Sequence, residues 1–286
     1  MIRKIKYLVL IILLNSAYSF AQYAPIILDP SYEHDKWRTT PQDLMFYFEA
    51  YTVSFHSGEN SADGLPDFWG VPDWVSFEIK KINKKHSLAN RPKWMTDKEL
   101  YLKGIAPDDN SYTVSGANDM KEVKTDYRFV RGHMCPKDTA ERISENAAYN
   151  THTLLNAVPQ LQWQNNGIWK TIEILSNSWA DKYERVWVIC GPIFFNKTPS
   201  MWLGQKNNMK VAIPDALFKI IIRTDEKETI KTIAFIIPNI VPKEYKDPAG
   251  FITSIGRIEK LTGLSFLTVL KNREDYLNMH GVISEW

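Results

Sequence analysis

Apolar and polar residues alternate through AYTVSFHSG at 50–58 and again through WVSFEIKK at 74–81, the period-two pattern of half-buried strands. The Gly- and Pro-rich stretch GENSADGLPDFWGVPD separates them, so the two read as one hairpin with a long loop. YRFVRGH at 127–133 is a short strand that ends on a histidine. VWVICGPIF, starting at Val186, is apolar on both faces and so belongs in the middle of a sheet. KVAIP at 210–214, LFKIIIRT at 217–224 and TIKTIAFIIP at 229–238 continue as an antiparallel meander. A second period appears twice. Ile168, Trp169, Ile172, Leu175 and Trp179 recur at helical spacing over 166–180, with Glu173 at the edge of the apolar face. Phe251, Ile252, Ile255, Ile258 and Leu261 make another stripe over 247–262, with Asp247 as N-cap, Pro248 at the first helical position and Gly263 past the end. Strands and helices in this order predict an α+β fold, a single domain with a central, largely antiparallel sheet flanked by helices.

The first 21 residues follow neither period. MIRKIK precedes the apolar run YLVLIILL and then NSAYSFA, where Ser19 and Ala21 stand in the frame of a cleavage site before Gln22. This is the pattern of a secretory signal peptide, and the run is short for a membrane span. The expected division is therefore a signal peptide at 1–21 and one domain over 22–286, exported to the periplasm or the medium, with no membrane attachment in the mature form. Loss of Arg3, Lys4 and Lys6 takes the 35 basic residues to 32 against 33 acidic ones. A polyanionic partner must then be met by a local strip and not by global charge. KKINKKH at 80–86, leading to Arg91, is one candidate, and a solvated charged face is the plainer reading of its lysines. Cys135 and Cys190 permit a disulfide in an exported chain, and their apolar surroundings equally permit two buried thiols.

Candidate chemistry gathers in two stretches, VRGHMCP at 130–136 and NAVPQLQWQNNGIWKTIE at 156–173. The first offers the imidazole of His133 beside the charge of Arg131. A neutral imidazole takes a proton from water near neutral pH, and an Arg fork matches phosphate oxygens. The second offers Asn165 and Glu173 at the start of a predicted helix. An amide oxygen suits a hard cation that keeps most of its waters, and a helix N-terminus favours an anion. Each residue has a plainer reading: Asn165 as an N-cap, Glu173 as a solvated helix residue, His133 as an ordinary hydrogen-bonded histidine. Trp169 reads as core either way. His133-Met134-Cys135 has no second pair at zinc-ligand spacing, which argues against zinc. His34, His56, His86, His152 and His280 show no comparable company in the sequence.

Taken together, Arg131-Gly132-His133, then Asn156, Pro159 and Gln160, then Asn165, Gly167, Trp169 and Glu173 resemble the signature of the DNA/RNA non-specific endonuclease family of the ββα-metal superfamily. The likeness extends through WVSFEIKK, NRPKWMTD, VICGPIF, IPDALFKI, FIIPN and SIGRIEKLTGLSF, a motif core of about 74–266. The resemblance implies a ββα-metal motif within the fold and hydrolysis of DNA and RNA with 5′-phosphate products. It implies His133 as general base, Asn165 as the protein ligand of a largely hydrated Mg²⁺ that Mn²⁺ can replace, and Glu173 as an anchor of the metal's water shell. Arg91 and Arg131 would hold phosphate, and Asn156 would serve the substrate site through hydrogen bonds. The signature's first position is Val130 where the family has Asp, which leaves Arg131 without that neighbour. Two other functions compete: a nuclease-like module that binds nucleic acid or protein without cutting, and a phosphodiesterase of small nucleotides.

Overall fold

The computed structural model describes residues 22–40, 44–56, 69–112, 127–204, 209–225 and 229–286. The proposed leader at 1–21 and most of the long loop after β2 lie outside the described residues.

A seven-stranded sheet organises the chain. Its strands are β1 (Leu44–Tyr47), β2 (Thr52–Phe55), β3 (Trp74–Lys80), β6 (Arg185–Ile193), β9 (Ala216–Thr224), β10 (Ile230–Pro238) and β11 (Ile252–Thr253), paired in that order. Every pairing is antiparallel. The expected hairpin of 50–58 with 74–81 is present as β2 on β3, and β1 precedes it as an edge strand that the alternation did not reveal.

The central strands explain why the sheet is covered on both sides. Along β6, Val186, Val188 and Cys190 enter one apolar core, while Trp187, Ile189 and Ile193 enter the other. β9 divides the same way, with Leu217 and Ile221 on one side and Phe218, Ile220 and Ile222 on the other. Period-two side chains on a strand buried twice produce two cores. The first core is closed by the helix α4 (Lys170–Tyr183), which packs on β3 and β6. It buries Ile172 and Trp179, each worth roughly 1.5–3 kcal/mol of apolar transfer. Trp37, Phe266 and the helix α5 (Ile255–Thr262) close the second.

Two elements depart from expectation. The stripe over 247–262 is not one helix: Asp247 caps a short 3₁₀ turn at Pro248–Phe251, β11 follows, and Ser254 caps α5 by accepting from the Arg257 N–H. Ile252 therefore reaches the sheet edge, where it pairs with Phe235. KVAIP is likewise not part of the large sheet. It forms β8 (Val211–Ile213), which pairs with β7 (Met201–Leu203) in a separate ribbon. Gly263 does end α5 in the left-handed conformation that favours glycine.

Candidate active site

Beside the large sheet lies a second ribbon, β4 (Phe129–His133) paired antiparallel with β5 (Ala157–Leu161), whose register sets Gly132 against Val158 and His133 against Ala157. Between its strands run α2 (Lys137–Ala140) and α3 (Glu145–Asn150), the short helix α1 (Lys98–Leu102) lying earlier in the chain. After β5, a single helical turn at Gln162–Gln164 leads through a π-type turn, Asn165–Trp169, into α4. Two strands and a helix thus frame one site, and backbone irregularity falls where such bulges often serve function.

Gly132 shows how the motif works. A Cβ there would lie 1.5 Å from Gln160 Oε1, so only glycine leaves room for that buried side chain. Gln160 donates from Nε2 to Gln164 Oε1 at 3.0 Å and accepts on Oε1 from Asn165 Nδ2 at 2.8 Å. As the amides are placed, Asn165 is held through its Nδ2, and its Oδ1 is the end not engaged by Gln160. Asn165 is not the N-cap expected of it. It has helical dihedrals within a turn that has already begun, and α4 starts at Lys170, so the helix-dipole argument does not apply at Asn165 itself.

A cleft of about 240 Å³ brings His133, Arg91, Asn165 and Glu173 together, with Lys170 and His152 also on its wall. Sequence separations of up to 82 positions close here. His133 stands between Trp94, ring centroids 4.6 Å apart, and His152, 4.8 Å away and edge to face. Its Nε2 is shut off from solvent with no hydrogen-bond partner. Burial, reinforced by His152, Arg91 and Lys137, holds the His133 imidazole well below its ordinary value, so the ring is neutral. Burial pushes the Glu173 carboxyl up to about 7, against the pull of Lys219. Lys219 is itself buried under the site, with its ammonium 3.9 Å from the Trp169 ring. Trp169 is core, as expected, and donates its indole N–H to the His133 carbonyl at 3.3 Å.

Other expected site residues stand elsewhere. Asn156 is not a substrate contact: it is fully buried, its Oδ1 accepts from the Cys135 N–H at 2.8 Å, and its Nδ2 donates to the carbonyls of Cys135 and Thr151 at 2.9 Å each. It ties down the loop that follows His133. Arg131 lines an adjoining groove with Trp94, Tyr127 and Arg128, not the cleft of His133. Nor is it freed by Val130. Its Nη2 meets Asp109 Oδ1 at 2.6 Å and the Asp109 carbonyl at 2.8 Å, so a carboxylate distant in sequence occupies it. Arg91 lines both cavities and joins them. None of the residues 80–86 lines either, and Lys80 and Lys81 pair with Ser31 and Glu184. Cys135 and Cys190 are separate buried thiols, which removes the disulfide alternative.

The sequence profile of the DNA/RNA non-specific endonuclease family matches residues 48–273. The chain belongs to this family. Among its relatives, human "Nuclease EXOG, mitochondrial" is 28% identical over 223 residues, 74% of this chain and 56% of that protein. The mouse protein of that name is 30% identical over 162 residues, 53% and 43% of the two chains. Human "Endonuclease G, mitochondrial" is 28% identical over 158 residues, 51% and 52%. The chain spans about half the length of these relatives. A solved structure titled "Crystal structure of the EndoG/EndoGI complex: Mechanism of EndoG inhibition" has the same fold, with a TM-score of 0.61, 18% identity and coverage of 84% of this chain and 92% of that one.

The family is one of metal-dependent nucleases, and the residues of the cleft fit a hard cation. Among the described residues no three His, Cys, Asp or Glu side chains gather around a metal position. What the cleft offers is one oriented amide oxygen, from Asn165, and one sheltered carboxyl, from Glu173, a donor set that water must complete. Among the described residues no thiolate or thioether side chain, the ligands that select soft metals, lines the cleft.

Proposed function

We propose that this chain is an exported, Mg²⁺-dependent endonuclease that hydrolyses DNA and RNA with little sequence selectivity. The observation that carries the reading is the cleft in which a neutral imidazole, a guanidinium, a free amide oxygen and a carboxyl face one another. His133 accepts the proton of a water molecule as that water's oxygen attacks phosphorus. With Nε2 sealed from solvent, Nδ1 is the nitrogen that takes it. The phosphorus–oxygen bond to the 3′ oxygen breaks, solvent returns a proton to that oxygen, and the phosphate stays on the 5′ side. Arg91 holds a non-bridging phosphate oxygen through its fork. Mg²⁺, held by Asn165 Oδ1 with Glu173 gripping its waters, would supply charge neutralisation at the phosphate and the departing oxygen. Mn²⁺ has the same preference for oxygen donors and should substitute.

Low selectivity follows from contacts to phosphate, which carries no sequence information. The adjoining groove, which shares Arg91 and Asn165 with the cleft, adds Arg128 along the path of the strand beyond the cut, Arg131 there being paired with Asp109. Export rests on the basic, apolar and small-residue segments of 1–21. Plasmid nicking with Mg²⁺, run beside a structured RNA and a small nucleotide diester, tests the activity. Nicked circles and degraded RNA support it, cleavage of the small diester alone points to a phosphodiesterase, and inertness on all three points to a binding module. Mass spectrometry of protein recovered outside the inner membrane should find Gln22 at its N-terminus.

A further inference from the structure

His152 is the group that the sequence passed over and the fold brought to the cleft. It is fully buried on the segment after α3, 19 positions beyond His133, and its ring lies edge to face with that of His133 and 5.4 Å from Trp94. Both of its nitrogens are engaged. Thr151 donates its hydroxyl proton to the Ala148 carbonyl at 2.7 Å, so its oxygen can only accept from His152 Nδ1, 3.3 Å away. With the proton on Nδ1, the Nε2 lone pair is left to accept from Arg91 Nε at 3.3 Å. Burial, with Arg91 next, lowers the imidazole to about 4, which keeps that lone pair available at neutral pH. Donation runs one way, from the guanidinium through His152 and Thr151 to the α3 carbonyl. The backbone reinforces the link, for Met95 N–H donates to the His152 carbonyl at 2.8 Å and Leu154 N–H to the Met95 carbonyl at 3.0 Å, clamping the Arg91 segment to the end of α3.

We propose that His152 is a positioning residue, whose Nε2 aims the Arg91 guanidinium at the junction of the cleft and the adjoining groove so that it meets the substrate phosphate. The inference rests on the nuclease reading above. Held at Nε, the guanidinium keeps its two terminal nitrogens for a bidentate grip on phosphate. An Arg on an exposed loop would otherwise lose rotamer freedom on binding, and prior fixing removes that cost.

His152→Phe keeps a ring in the core and removes the acceptor, and His152→Gln returns an acceptor near the Nε2 position. Binding is read without turnover, by fluorescence anisotropy of a labelled oligonucleotide in chelator, and KM and kcat are read on plasmid with Mg²⁺. His152→Phe should weaken both the oligonucleotide Kd and KM by about tenfold, the scale of a hydrogen bond to a charged group, with kcat nearly unchanged. His152→Gln should recover most of that loss. In an Arg91→Ala background His152→Phe should add nothing, because its partner is gone. Unchanged Kd and KM in a folded His152→Phe, an equal loss in the Arg91→Ala background, or a Gln variant as weak as the Phe variant would each overturn the proposal while leaving the nuclease intact. Wild-type protein that neither bound nor cut would bring down both readings.

Discussion

His34 and His133 are two half-buried imidazoles in one chain, and they teach different things. Both are held below their ordinary values, with burial the largest cause in each. His34 has its valences filled by backbone: Nε2 donates to the Glu49 carbonyl and Nδ1 accepts from the Glu78 N–H, each at 3.0 Å. It fastens the N-terminal segment to β3. His133 has a sealed Nε2 with no partner and a ring on the wall of a cleft. A lowered value therefore does not by itself mark a candidate base; what sets His133 apart is its place on the wall of a cleft, with its ring not tied to backbone as that of His34 is. Asn156 and Asn165 repeat the contrast. One spends its amide on three backbone groups, and the other has its nitrogen bound and its oxygen left over.

The contrast breaks first at His133. His133→Ala should cut turnover by about 10²–10⁴-fold in protein that still folds, while the packing lost against Trp94 and His152 lowers the melting temperature only modestly. Near wild-type cutting by the purified variant would end the proposed mechanism. Next in size is the asparagine pair. Chelation should abolish activity, Mg²⁺ or Mn²⁺ should restore it, and Asn165→Ala should raise the half-activating Mg²⁺ concentration more than Glu173→Ala does. Asn156→Ala should instead lower stability by about 1–3 kcal/mol, by stranding buried backbone groups, as thermal melts will show.

His34→Ala should reverse the outcome for His133, costing roughly 2–4 kcal/mol in stability while activity per folded molecule is kept. The sign of its pH dependence follows from the lowered value. The unfolded chain takes up the proton first, so the contribution is full above the ordinary histidine value and is lost as pH falls from there through about 4. Denaturant melts across that range should show a shallower pH slope for His34→Ala than for wild type. The smallest effect is expected for Val130→Asp. Asp109 already supplies Arg131 with a carboxylate, so a second should change the rate modestly and far less than His133→Ala does. Restoration of cutting by Val130→Asp in an inert wild type would reverse the order and favour a binding module.

Much of this was legible along the chain because it is written in local patterns. β2 and β3 showed as alternation and β6, β9 and β10 as short apolar runs, while the spacing of Ile168, Ile172 and Trp179 needs only the period of a helix. β5 escaped because Pro159 inside Ala157–Leu161 reads as a break in a strand and its apolar residues do not alternate. The stripe over 247–262 misled because a 3₁₀ turn and a bridge to β10 conserve a helix-like spacing of apolar residues without being a helix.

The sequence by itself determined the family, through Arg131-Gly132-His133, Asn165 and Glu173 at their intervals, and it singled out His133 and Asn165 as residues to watch. Which polar group met which was decided only in three dimensions. Asp109 finds Arg131 across 22 positions, and Arg91 finds His152 across 61. Polar side chains of one type are interchangeable in a sequence, since nothing along the chain records burial or direction. Folding assigns each a fixed set of donors and acceptors, and the valences it leaves unfilled in the cleft are the ones available for chemistry.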